Sequence, residues 1–164
     1  MIRRKMKNNF IQLIAIFLLM MVTGVFWGTW FSLTQSLDDF SAAEFIHNGK
    51  IIIANLAFPM RIIFPLCVIF TMLTVYFYPN KKSTTFYFAL LGFALIIGAL
   101  LVTLFVEVPI DNQIKMWSAE TIPSDWEAMR NKWSTFHTTR TFLSLASFGL
   151  FSASIIFSKH GEPD

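Results

Sequence analysis

Apolar and polar positions alternate along this chain in blocks rather than with a short period. Four apolar blocks cover about residues 10–33, 51–78, 85–106 and 141–157, and each holds few or no charges. Each block is about as long as the 20 or so helical residues needed to cross a hydrocarbon core. The pattern predicts an all-α integral membrane protein: an antiparallel four-helix bundle filling one domain, residues 1–164. Its spans are expected at about 10–33, 55–78, 85–106 and 137–158, with longer connections at 34–54 and 107–136. Pro59 and Pro65 interrupt the second block. Pro59 either opens the membrane-crossing part, as proline suits a first helical turn, or kinks a longer helix. Gly24 and Gly28 form a small-xxx-small pair in the first span, a spacing that lets helices approach closely.

The connection after the third block carries helix signals. Ser124-Asp-Trp-Glu127 has capping-box spacing. No proline or glycine follows until Gly149, so one helix can run from there through the fourth span and project beyond the membrane. Trp126, Arg130, Trp133, His137 and Arg140 follow at steps of four and three, which keeps them on one helix face. The same steps continue to Ser144, Ser147, Phe151, Ser154 and Ser158. A membrane-interface belt of tryptophans and a serine seam between helices would account for part of this stripe. Ionisable His137 and Arg140 at the edge of a span call for a partner or a function.

Charge fixes the orientation. Arg3, Arg4, Lys5, Lys7, Lys81, Lys82 and Lys159 fall on one side if the spans alternate, while most acidic residues fall on the other. The basic side is cytoplasmic by the positive-inside rule. Both termini are then expected in the cytoplasm, with a bacterial plasma (inner) membrane as the compartment. The basic N-terminus imitates a secretory signal, but its apolar run is too long and lacks a small-x-small cleavage site, so a retained span is expected. The net charge of +3 comes from residues at the ends of apolar runs, not from a basic face for nucleic acid. The chain is 55% hydrophobic and 14% charged, too little polar surface for a water-exposed domain. Cys67 is the single cysteine, which precludes a disulfide within the chain or a cysteine-built zinc site.

Helix dipoles sharpen the charge pattern. Arg61, if Pro59 opens the second span, and Arg140 stand near helix N-termini, and Glu107 near a C-terminus; each sign opposes the macrodipole. A cluster in which Glu107, with Asp111, neutralises Arg61 and Arg140 resolves the conflict and brings His137 and Asn112 beside it. The expected result is a polar pocket at the outer mouth of the bundle. Glu44-Phe-Ile-His47 has the Glu-x-x-His spacing of di-iron bundles, but a second such motif is missing. His47 and His137, with Glu107, are the weak candidates for a metal site; otherwise the sequence specifies no cofactor, and metal and haem are left open. Phosphate-loop, dinucleotide and common hydrolase strings do not occur.

The string Val106-Glu-Val-Pro-Ile-Asp-Asn-Gln-Ile114, then Trp126, Arg130, Trp133 and His137-Thr-Thr-Arg140, resembles the anthrone oxygenase-like family of small four-span membrane proteins. Phe58-Pro-Met-Arg61 fits the same resemblance, with Glu107 and Asp111 standing where asparagines are common. The resemblance implies oxygenation of an activated methylene in a polycyclic anthrone. On that reading the protein is a membrane oxidoreductase acting on a hydrophobic phenolic or quinone-type small molecule. His137 would be its general base, Arg140 and Asn112 would stabilise and orient the oxyanion, and Glu107 would complete the catalytic set. Trp126, Trp133, Arg61 and Arg130 would bind substrate. The competing expectation is a non-enzymatic membrane subunit or lipid-binding module that docks a partner through the tryptophan-rich outer helix. A cavity between the spans favours the first and a flat tryptophan face favours the second. Association into oligomers is left open.

Overall fold

The computed structural model describes residues 2–118 and 120–158, with side chains from Met6 onward. The topology signals at Arg3, Arg4, Lys5 and Lys159, and His160, lie outside the described side chains. Among the described residues there is no strand; the elements are α1 (Ile2–Ser32), a 3₁₀ segment (Thr34–Asp39), α2 (Ala42–Tyr76), α3 (Thr84–Val102), a π-turn (Thr103–Glu107), α4 (Val108–Met116) and α5 (Trp126–Ser158). The π-turn joins α3 and α4 into one continuous element, so four helical rods are long and apolar enough to cross a membrane. The protein is an integral membrane four-helix bundle.

The second rod starts earlier than the apolar block. A capping box sets its beginning: Ser41 Oγ accepts from the Glu44 N–H, and Glu44 Oε2 accepts from the Ser41 N–H at 2.8 Å. Both prolines therefore lie inside α2. Arg61 is an interior residue of the helix, not one of its first turn, and the dipole conflict expected there does not arise. The third rod, expected to close at Glu107, continues to Met116. Pro109 explains how. Lacking an N–H, it cannot bond the carbonyl four residues back, and its ring crowds that carbonyl. The backbone widens just before it into i→i+5 spacing, with the Val108 N–H bonding Thr103 O. Glu107 thus sits inside a continuing rod rather than at a C-terminus.

The fourth rod is unbroken over 33 residues, about 50 Å at 1.5 Å per residue. It begins at Trp126, whose N–H bonds Pro123 O, without a side-chain cap from Ser124. Its buried residues are Arg130, Trp133, His137, Arg140, Thr141, Ser144, Ser147, Phe151 and Ser154, so the stripe read from the sequence is the face turned into the bundle. The serines bind backbone: Ser147 Oγ donates to Gly92 O at 2.7 Å. The Tyr78 hydroxyl in turn donates to Ser154 O at 3.0 Å. Gly92 makes this seam possible, since a Cβ there would lie 3.1 Å from Ser147 O and 3.3 Å from the Phe151 ring.

Two apolar cores stack along the bundle. One fills the membrane-crossing part around Leu19, Ile96 and Phe151. The other packs Leu37, Phe45, Ile114, Trp117 and Trp133 at the end away from the termini. There the first turns of α5 lie against α2, α4 and the 3₁₀ segment.

Candidate functional site

Between the two cores lies a cavity of about 340 Å³. Apolar side chains such as Phe26, Ile53, Leu56, Phe64 and Leu100 form most of its wall. Its polar groups are Thr29 from α1, Asn48 and Arg61 from α2, Thr103 from the π-turn, Asp111, Asn112 and Lys115 from α4, and His137 and Arg140 from α5.

The π-turn and the α5 stripe meet at Arg140. Its Nη2 lies 3.0 Å from Glu107 Oε2, and the Glu107 side chain is wholly buried. The approach has ion-pair distance but not hydrogen-bond alignment, since neither Glu107 oxygen has a hydrogen bond among the described residues. Arg140 Nη1 donates to Thr103 Oγ1 at 3.3 Å, and Nε and Nη2 donate to His137 Nδ1 at 3.2 and 2.8 Å. Its guanidinium also covers the Phe26 ring at 4.6 Å. A regular α-turn would place Thr103 and Glu107 about 40° apart around the axis. The wider π-turn keeps them on one side of the rod, where Arg140 meets both.

His137 is locked on every side. Trp133 stacks on its ring at 4.8 Å, with the planes 3° apart, and Phe26 meets it edge-on at 6.2 Å. An arginine can only donate, so Nδ1 carries the lone pair and Nε2 the hydrogen, which goes to Phe26 O at 3.2 Å. The one basic nitrogen is thereby occupied. Both ring nitrogens of His137, expected as a general base, thus have partners in this structure: Nδ1 the Arg140 guanidinium and Nε2 the Phe26 carbonyl.

Other expected site residues divide in two. Trp133, Asn112, Arg61 and Arg140 line the cavity. Glu107 does not; it stands behind Arg140. Trp126 and Arg130 do not line it either, because they are engaged elsewhere. Arg130 stacks on Trp126 at 5.2 Å, pairs with Asp38 at 2.9 Å and donates to Leu37 O at 3.3 Å, pinning the 3₁₀ segment to α5. The cluster drawn around Glu107 is also smaller than expected, since Arg61 makes no ion pair among the described residues. The metal reading does not assemble. Glu44 is used in capping α2, His47 is exposed, and no group of three His, Cys, Asp or Glu side chains converges among the described residues.

Asp111 belongs to the site more fully than the sequence reading gave it. Its Oδ1 accepts from Trp133 Nε1 at 3.2 Å while the carboxylate faces the cavity. Thr103 and Lys115 were missed altogether. Their signal was the helical continuation past Pro109, which puts residues 103, 107 and 111 near one face.

A family model described as anthrone oxygenase matches residues 54–150, more than half of the chain. The chain belongs to the anthrone oxygenase family. The match spans the cavity-lining part of α2 from Leu56 to Pro65, the whole of the third rod with its π-turn, and the α5 stripe through Ser147. No curated protein and no solved structure matches the chain.

Proposed function

We propose that this member of the anthrone oxygenase family is a membrane oxygenase for a planar hydrophobic phenolic or quinone-type substrate with an acidic methylene. The observation that carries the reading is the cavity: mostly apolar walls with a few convergent polar groups at one end, the form expected of a small-molecule site. A docking module is supported less well. Trp133 is buried against His137 and Trp126 packs on Phe45, so neither forms a flat exposed face.

The chemistry follows from what the polar wall can do. Asp111 is the cavity carboxylate with a fixed orientation, and it acts as the base that takes one methylene proton. The electron pair left behind delocalises onto the substrate carbonyl as an enolate. Arg140 faces that developing charge, and Asn112 and Lys115 flank it; donors held in place in this way stabilise charge without reorganising. Glu107 and His137 hold Arg140 in position, and Trp133 offers an edge against which the ring system is aligned. The electron-rich enolate reacts with dioxygen to give a carbon-bound hydroperoxide. Loss of the second methylene hydrogen with O–O cleavage then leaves a carbonyl and one water, so each substrate and each dioxygen give one quinone and one water. With the positive-inside rule, the cavity end of the bundle faces away from the cytoplasm.

The test is turnover by the protein reconstituted in lipid nanodiscs, with 1,8-dihydroxyanthrone as substrate. Quinone absorbance and dioxygen uptake should rise together above the autoxidation rate in empty nanodiscs. Asp111→Asn keeps an acceptor for Trp133 yet removes the base, and should lower the rate by roughly a hundredfold or more. Rates equal to those of empty nanodiscs would sink the reading.

A further inference from the structure

Arg61 is the one cavity cation without a partner. Arg140 faces Glu107, and Lys115 Nζ donates to Asn112 Oδ1 at 3.0 Å. Arg61 has no ion pair or hydrogen bond among the described residues, is exposed, and still lines the cavity. Its depth makes this costly. It stands about 22 Å along α2 from the Tyr76 end at 1.5 Å per residue, within a hydrocarbon core about 30 Å thick. Ionisable groups at such positions pair with something or mark a pathway.

The walls around Arg61 show where that pathway runs. Arg61 and Pro65 on α2, and Leu104 and Val108 on the opposing rod, are all exposed and all line the cavity, so the cavity reaches the outside between these two rods. Nearer the end away from the termini the same seam is shut. Gly49 packs so closely that a Cβ would lie 3.2 Å from Ile114, and Lys50 Nζ donates to Trp117 O at 2.6 Å. The part of the opening around Arg61 therefore adjoins lipid, while Asn112 and Lys115, which are exposed and line the cavity as well, carry it on toward the outer end. Pro65, in the same rim, has no N–H to return to the Arg61 carbonyl.

We propose that the seam between α2 and the third rod is a lateral portal and that Arg61 is its anion-recognising residue, admitting the substrate from the bilayer as an ionised phenolate or carboxylate. This rests on the oxygenase reading for the nature of the substrate and adds its charge state and its route. An aromatic anion dissolved at the membrane interface slides along the seam with its oxygen on Arg61, which supplies the missing counter-charge, while the apolar rings enter between Met60, Phe64 and Leu104. The substrate class is thus an acidic polycyclic aromatic, and a neutral analogue of equal shape binds less well.

Binding to nanodiscs of phosphatidylcholine, read by quenching of tryptophan fluorescence, tests this without turnover. The probes are anthraquinone-2-carboxylate and neutral anthraquinone-2-carboxamide. The native protein should prefer the carboxylate by about tenfold or more, Arg61→Gln should lose that preference, and Arg61→Lys should keep most of it. Leu104→Trp, which narrows the seam, should slow uptake of both probes. An unchanged preference in Arg61→Gln overturns the proposal. So does a native preference that vanishes when phosphatidylglycerol is added, together with a melting temperature that rises with that lipid only when Arg61 is present, because the partner is then a lipid phosphate. Arg61-dependent binding without turnover of 1,8-dihydroxyanthrone would defeat the oxygenase reading and leave the portal standing. Turnover without any dependence of binding on Arg61 would do the reverse.

Discussion

Arg140 reaches Glu107 across two helices at 3.0 Å, and the carboxylate it meets has no solvent access at all. A buried pair of this kind is costly to break from one side, by about 3–5 kcal/mol, because the remaining charge is stranded. Glu107→Gln should therefore lower the melting temperature in detergent sharply, whereas Glu120→Gln at the exposed connection should leave it unchanged. The double variant Glu107→Gln/Arg140→Met removes both charges and should recover much of the loss. Equal melting of Glu107→Gln and Glu120→Gln would mean that the pair contributes nothing to folding.

His137 separates two chemical roles by substitution. If its task is to accept from Arg140, a side chain that still offers an acceptor should serve. His137→Gln should then retain a substantial part of the oxygenase rate and shift stability little, while His137→Phe should lose both. A general base would behave otherwise, with Gln as inactive as Phe. Measuring turnover and melting on the same two preparations distinguishes a positioning residue from a proton acceptor.

Glycine supplies a sharp contrast in packing. Gly92 faces Ser147 O and Phe151, so Gly92→Ala should overpack the α3–α5 seam and destabilise by about 1–3 kcal/mol. Gly24 and Gly28 have nothing within 4 Å of a Cβ. Gly24→Ala and Gly28→Ala should leave the melting temperature of the monomer unchanged or slightly raised, since alanine favours the helix. Melting of the three single variants in one detergent checks the ordering.

That contrast shows what could be read from the chain and what could not. The rods were legible because apolar blocks of membrane length admit few other structures, and the α5 stripe was legible because its steps of four and three persist from Trp126 to Ser154. The Gly24/Gly28 pair carried little weight, because spacing marks a smooth face without saying what meets it. Gly92 carries no motif, and its importance comes from Ser147 and Phe151 some 55 residues away. Around the site, Pro109 read as a terminator, whereas a π-turn carries the helix through it. That single difference moved Glu107 from a helix end into a continuing rod, where it still makes the expected ion pair with Arg140, and brought Thr103 into view. Trp126 and Arg130 shared the right face of α5, but face alone does not give depth: they meet Phe45, Leu37 and Asp38 before the cavity begins.

Orientation across the membrane follows from lysine and arginine placement and is open to a direct measurement. Cys67 is buried, so the native protein should be silent to a membrane-impermeant thiol reagent. Ser36, in the 3₁₀ segment, and Met116, at the end of α4 and 82% exposed, lie at the cavity end of the bundle. Lys82 lies in the turn between α2 and α3 at the opposite end and is also exposed. In intact cells, Ser36→Cys and Met116→Cys should react with reagent added outside, and Lys82→Cys should react only after the membrane is opened. The order matters for function because it decides which leaflet adjoins the deeper part of the seam. Arg61 lies nearer the cavity end, so the expected pattern places its portal in the outer leaflet. Labelling of Lys82→Cys alone in intact cells would invert the protein and move the portal to the cytoplasmic leaflet, leaving the bundle and its cavity as they are.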